Sequence, residues 1–205
     1  AEVTRRYTTL MAASQPAVAA EALDAYDFGR HRRLLDVGGG NGAFLRAVGA
    51  RAPRLDLHLF DLPSVVAEAP GLFAAACMAD RAVVHGGSFL SDPLPQGADI
   101  ATLVRVLHDH DDARALVILR AVRAALPRDG TLLLIEPMAG APGAEPVGEA
   151  YFGFYLLAMG SGRARAPAEI AALLHAAGFD RPRFLPTHTS LITGIAVAQC
   201  RDNAL

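Results

Sequence analysis

Two aspartates stand where apolar runs end, Asp36 in LLDVGGG and Asp61 in HLFD. Between them lies the turn GGGNGAF, in which Gly38, Gly40 and Ala43 satisfy the spacing G-x-G-x-x-A. That spacing lets backbone pass close to a bound nucleotide, and taken alone it fits NAD or FAD as well as other adenosine ligands. An acid at the end of the second strand can hydrogen-bond both hydroxyls of a ribose, which all these ligands contain. Asp36 separates the cases. Two residues ahead of Gly38, its charge would repel a pyrophosphate by ~4 kcal/mol, for unit charges about 4 Å apart at an effective dielectric near 20. The favoured ligand carries adenosine, no phosphate and a positive charge. S-adenosylmethionine, with an ammonium and a sulfonium, has that description.

A second cluster, HDHDD at 108–112, gathers imidazoles and carboxylates. No matching ligand cluster accompanies it elsewhere, so no metal is expected. Asp109, Asp111 and Asp112 precede a strong helical pattern, where acids favour the positive end of the helix dipole.

The elements that must position these residues alternate. Apolar runs predict strands at 32–37, 55–61, 82–85, 100–107 and 131–135. Helical spacing predicts helices at 42–51, 63–69, 70–80 and 112–126, the last carrying Leu116, Leu119, Val122 and Leu126. A helix from Ser14 to about Tyr26 precedes them, and residues 2–13 also read as helical. After the Pro/Gly-rich loop 137–146 come helices at 147–159 and 167–177, then strands at 183–185 and 191–199. Strand–helix alternation argues for a parallel sheet covered on both faces. The last two strands have too short a connection for a crossover helix and must pair as an antiparallel hairpin. The predicted fold is α/β: a Rossmann-like, doubly wound, mostly parallel sheet of about seven strands with a C-terminal antiparallel hairpin.

Composition narrows the function classes. Of 205 residues, 52% are hydrophobic and 20% charged, the profile of a packed domain. A net charge of −2, with all 19 basic residues scattered arginines, gives no footprint for nucleic acid or an anionic membrane. The longest apolar run, 151–159, is too short to span a bilayer. Cys77 and Cys200 match no metal or redox spacing and read as buried thiols in a reducing cytosol, so the expected location is cytoplasmic, with membrane-peripheral association as an option.

Four stretches in order, DVGGGNG, FDLPSVV, RVLHDHDD and LLLIEPM, resemble the S-adenosylmethionine-dependent O-methyltransferases of the caffeate and acetylserotonin type, from about Arg5 to Gln199. Within that family, SQPAVAAEALDAYDFGRHRRLLDVGGG and PGAEPVGEAYFGFYLLAMGSGR look like the bacterial branch that methylates hydroxylated acyclic carotenoids. The resemblance implies the class I methyltransferase fold, with S-adenosylmethionine as cofactor and an apolar hydroxylated small molecule as acceptor. It also implies a homodimer built by an N-terminal domain. Residues 1–26 would be linker helices left from that region, and 27–205 the catalytic domain.

Carried over by position, the resemblance places Asp36, Gly38 and Gly40 at the methionine end of the cofactor, Asp61 at its ribose, and Ser88 and Phe89 around adenine. An acid is usual where Ser88 stands. His108 aligns with the general base and Glu136 with a glutamate that orients it. Asp109 is a secondary contact to the acceptor, and His110 replaces the usual tryptophan. The second orienting glutamate falls near Ala164 and is absent. The apolar segment YFGFYLLAMG, with Tyr151, Phe154, Tyr155 and Met159, would line the acceptor pocket or pack as a helix or dimer face. Two further readings stay open: a nucleotide-dependent dehydrogenase, and a domain that binds cofactor but needs its N-terminal part for turnover.

Overall fold

The computed structural model describes residues 15–140, 162–188 and 193–201. The predicted helices at 2–13 and 147–159, and with them Tyr151, Phe154, Tyr155 and Met159, lie outside the described residues.

Seven strands form one sheet: β1 (Arg33–Val37), β2 (Asp56–Asp61), β3 (Ala82–Gly86), β4 (Ile100–Val104), β5 (Thr131–Glu136), β6 (Phe179–Leu185) and β7 (Gly194–Cys200). Their spatial order is β3-β2-β1-β4-β5-β7-β6. The first five are mutually parallel, while β7 runs antiparallel to both β5 and β6. The closing hairpin therefore forms as expected, with its second strand inserted between β5 and the edge strand.

Central strands are buried along their whole length, every residue of β4 and β5 included, because helices cover both faces. The period of two sorts their side chains. Leu35, Val37, Ala101, Leu103, Leu132 and Leu134 pack with Ile118, Leu119 and Val122 of α5 (Asp112–Ala125) and with Ile170 and Leu174 of a later helix, Pro167–Ala176. On the other face, Leu34, Ile100, Leu133 and Ile135 meet Phe44, Leu45 and Val48 of α2 (Ala43–Arg51). Val18 and Ala22 of α1, residues 15–25, join them there.

Several boundaries differ from the sequence expectation. The two helices expected at 63–69 and 70–80 both form, but shorter, as α3 (Pro63–Val66) and α4 (Ala69–Ala75). Strand β4 stops at Val104 rather than Leu107, because Arg105 takes a left-handed conformation, φ +55°, and turns the chain off the sheet. Residues Leu107–Asp109 then form a 3-10 turn. Strand β6 begins earlier than expected, at Phe179, and carries a bulge between Asp180 and Arg183. Cys200 is buried as expected, but Cys77 is exposed, since it sits in the left-handed turn that ends α4.

The connections reverse direction between β1 and β4, and such a switch point opens a crevice beyond the strands' carboxyl ends. Two loops border it: the glycine turn after β1, and residues 105–111 after β4.

Candidate active site

The glycine turn rests on Asp36. This carboxylate is fully buried, and Oδ1 accepts a hydrogen bond from Thr102 Oγ1 at 2.7 Å. Oδ2 has no hydrogen-bond partner among the described residues. A β-carbon at Gly39 would collide with Oδ2 and would lie 2.5 Å from Leu59 Cδ1, so only glycine lets the turn close over this acid. Burial, opposed by the Thr102 bond, raises the Asp36 pKa from 3.8 to about 7.

This corrects the sequence reading. Asp36 is neither at the mouth of the crevice nor a full negative charge near neutrality. It lies beneath the turn and supports it, because its side chain alternates onto the α2 side of β1. The consequence is measurable. The folded protein retains this proton up to about pH 7, whereas the unfolded chain loses it near pH 4. Stability is therefore undiminished below pH 4, falls as pH rises from about 4 to 7, and levels off above. The full penalty is on the order of 4 kcal/mol. Urea denaturation of Asp36→Asn should match the parent at pH 4 and be increasingly more stable towards pH 8.

Asp61, the last residue of β2, closes the same turn from the crevice side. Oδ2 accepts from the Gly40 amide at 2.8 Å and Oδ1 from the Leu62 amide at 2.7 Å. Burial raises its pKa, and the two amides pull the other way. A glycine-turn amide that would face a pyrophosphate in a dinucleotide site is here occupied by a carboxylate.

Phe89 joins the two loops. A β-carbon at Gly38 would lie 3.4 Å from Phe89 Cε1 and 2.8 Å from Val106 Cγ2. The Phe89 ring meets that of His110 edge to face, with centroids 5.7 Å apart. Ser88 turns inward on its own loop, its amide donating to Asp92 Oδ2 at 2.8 Å and its Oγ accepting from Leu90 N at 3.4 Å.

His108 sits in the 3-10 turn, only 2% exposed. Its pKa is lowered to about 4, first by burial and then by the positive charges of Arg105, Arg165 and His110; a hydrogen bond involving the Arg105 backbone opposes this. The imidazole is thus neutral at pH 7. Asp109 Oδ1 lies 3.3 Å from Nε2. Glu136, at the end of β5, is 1% exposed and accepts from the His108 backbone amide through Oε2 at 3.1 Å. Burial, the larger effect, and then the Asp109 charge raise the Glu136 pKa to about 7, against the Leu107 and His108 amides and Arg165. Both carboxylates contact His108. Glu136 holds the turn by its backbone, and Asp109 is the acid beside the ring.

Arg165 completes the cluster. It is fully buried and its donors reach three acceptors: Asp112 Oδ1 at 2.8 Å, the Leu107 carbonyl at 2.8 Å and the His110 carbonyl at 2.7 Å. Asp111, by contrast, caps α5 by accepting from Arg114 N at 2.8 Å, as an acid there should.

The family model for the O-methyltransferase domain matches residues 1–180. The chain belongs to the O-methyltransferase family.

Among relatives of this O-methyltransferase-family chain, demethylspheroidene O-methyltransferase of Cereibacter sphaeroides is 50% identical over 187 residues, covering 90% of this chain and 49% of that protein. Phenazine O-methyltransferase PhzM of Lysobacter antibioticus is 32% identical over 200 residues, 98% of this chain and 57% of that one. The chain spans about half the length of the curated relatives it matches. The crystal structure of LaPhzM superposes with a TM-score of 0.89 at 33% identity, covering 97% of this chain and 59% of that chain. Human N-acetylserotonin methyltransferase in complex with SAM gives 0.85 at 26% identity, covering 97% and 56%.

In this family member the structure brings Gly38, Gly40, Asp61, Phe89, His108, Asp109 and Glu136 to the rim between β1, β2, β4 and β5. Asp36 lies below that rim. Sequence reasoning passed over Arg165 and Thr102. Arginine at 163 and 165, alternating with small residues after a glycine, was the available signal for the first. Thr102 gave none, since a threonine inside an apolar strand is ordinary.

Proposed function

We propose that this chain transfers a methyl group from S-adenosylmethionine to a hydroxyl of an apolar small molecule, a hydroxylated acyclic carotenoid being the acceptor class. The observation that carries the proposal is the buried, neutral His108 on a turn packed against the glycine loop. The identity to demethylspheroidene O-methyltransferases supports the acceptor class.

The residues present fit such a cofactor. Asp61 offers carboxylate oxygens at the end of β2 to a ribose diol. Phe89 offers an apolar face beside Gly38. The glycine turn, its Gly40 amide already satisfied, admits a ligand without diphosphate. When bound, the sulfonium supplies an activated methyl group.

The chain's own residues then have one task, to remove the acceptor's proton as the new bond forms. An aliphatic hydroxyl holds that proton tightly, so transfer to His108 accompanies bond formation rather than preceding it. A neutral imidazole has the lone pair this requires. The Asp109 carboxylate beside Nε2 stabilises the imidazolium that results. Because the free imidazole charges only near pH 4, the acidic limb of kcat/KM should not follow an ordinary histidine near pH 6.5. Glu136 keeps the turn in place through the His108 amide.

Incubation with methyl-labelled S-adenosylmethionine and a hydroxylated acyclic carotenoid, followed by mass analysis, tests the proposal; the expected result is label on the hydroxyl oxygen. Cofactor binding without label transfer would favour the second reading, a binding domain that turns over only within a longer chain. The chain's coverage of about half of its relatives makes that reading concrete. Asp61→Ala should weaken cofactor affinity by about 10–100-fold, the worth of about 1.5–3 kcal/mol for hydrogen bonds to a charged group. Unchanged affinity in a calorimetric titration would remove Asp61 from the ribose.

A further inference from the structure

Residues 162–166 lie as a strap across the two strand exits that carry His108 and Glu136. At its centre, the Arg165 carbonyl accepts from Ala139 N at 3.0 Å, and Arg165 bridges in parallel to Met138. The strap's backbone is thereby fixed beside the exit of β5. The Arg165 side chain crosses to the exit of β4, where its donors engage Leu107 O, His110 O and Asp112 Oδ1. The two carbonyls bracket His108 and Asp109 in sequence. At the strap's start, Gly162 lies so close to the His108 carbonyl that no β-carbon fits.

We propose that Arg165 is a positioning residue for the reaction: its buried guanidinium, tied to the carbonyls on either side of His108 and to Asp112, holds the imidazole where the acceptor's proton is taken. The inference rests on His108 acting as the base.

A planar fork suits this task, because its donors point along fixed, divergent directions, whereas an ammonium offers one compact charge. The Leu107 carbonyl already accepts the turn's own bond from His110 N at 3.1 Å, and the guanidinium adds a second donor there and a donor to the His110 carbonyl, closing the turn from outside. Among the described residues, the oxygens that the Arg165 side chain meets belong to Leu107, to His110 at the end of the turn, and to Asp112, the first residue of the helix that follows. A charge this deeply buried is weak evidence for stability alone. The guanidinium also acts on the ring electrostatically. The charged and titratable groups facing His108 are Arg105 on the same exit, Asp109 and His110 in the turn, Glu136 from β5 and Arg165 from the strap. Of these, Arg105, Arg165 and His110 disfavour the imidazolium and Asp109 favours it.

Arg165→Gln and Arg165→Lys separate geometry from charge. In Arg165→Gln, kcat should fall by about 10–100-fold, the order expected for a displaced catalytic group, with cofactor affinity unchanged. The His108 imidazole, followed by NMR, should titrate at higher pH than in the parent. In Arg165→Lys the charge remains but the fork is lost, so the imidazole should titrate as in the parent while kcat still falls at least about 10-fold. Should the glutamine variant fail to fold, the lysine variant decides: parental kcat overturns the inference. Parental kcat and parental imidazole titration in Arg165→Gln also overturn it. A loss of turnover matched in each variant by an equal loss of folded protein would reduce Arg165 to a structural role and likewise overturn it. Absence of methyl transfer in the parent defeats the proposed function itself, a result read independently of these comparisons.

Discussion

His108→Ala is expected to reduce kcat by about 10²–10⁴-fold, the usual contribution of a general base, while leaving affinity for S-adenosylmethionine unchanged. The imidazole is 2% exposed, and burial keeps it neutral down to about pH 4, so its lone pair is available throughout the physiological range. Truncation leaves a small void and removes the proton acceptor. It touches neither Asp61 nor the glycine turn. His108→Gln is the better control for packing, because glutamine fills much of the volume and can accept a hydrogen bond but takes up no proton. Single-turnover kinetics with bound cofactor would separate chemistry from binding. A kcat within the parental range in both variants would remove the base assignment, whatever the cofactor affinity.

Gly162→Ala should be the most damaging single-methyl change in the described chain. Gly162 has φ +94°, a conformation that a β-carbon disfavours. The added carbon would strike the His108 carbonyl oxygen and lie 2.7 Å from the Asp109 carbonyl carbon and 2.8 Å from its α-carbon. These are backbone atoms and cannot swing aside. Strain and overpacking together cost on the order of 2–5 kcal/mol. In a chain of this size that lowers Tm by roughly 5–15 °C. Whatever relief the structure finds comes from moving the His108 turn, and a shift of about 1 Å in such a group can cost about 10²-fold in rate. Gly140 is the internal control. It too has positive φ, +69°, but an added β-carbon meets nothing within 4 Å among the described residues. Gly140→Ala should therefore show the conformational cost without the collision and keep its turnover. Equal Tm losses in the two variants, measured by calorimetry, would show that the strap does not press on the turn.

The sheet was legible because its signals are local and redundant. Apolar runs at 33–37, 100–104 and 131–136 end in a polar residue or a turn, and a short connection left β6 and β7 no option but to pair. Asp61 was legible for the same reason, since the end of an apolar run beside a glycine turn fixes where an acid points. Asp36 was misread because sequence gives the side of a strand only by parity. A polar residue at the rim and one beneath the turn differ by one position, and nothing before the structure shows that Thr102 waits to receive it. The 3-10 turn at Leu107–Asp109 was hidden for a similar reason. Left-handed Arg105 ends β4 early, and no single-residue propensity announces a non-glycine residue in that conformation. Arg165 was missed because two of its three partners are backbone carbonyls, 58 and 55 residues away in the chain. A spacing rule sees side-chain pairs, and the carbonyls that a guanidinium meets carry no residue type that the sequence could show.

The crevice beside Asp61 is where the account stands or falls. Isothermal titration of the purified chain with S-adenosylmethionine and, separately, with NADH measures its central claim directly. Saturable heat with micromolar affinity for the sulfonium compound, and none for the dinucleotide, is the predicted result. NADH binding as tightly as S-adenosylmethionine, with Asp61→Ala weakening it, would contradict the account.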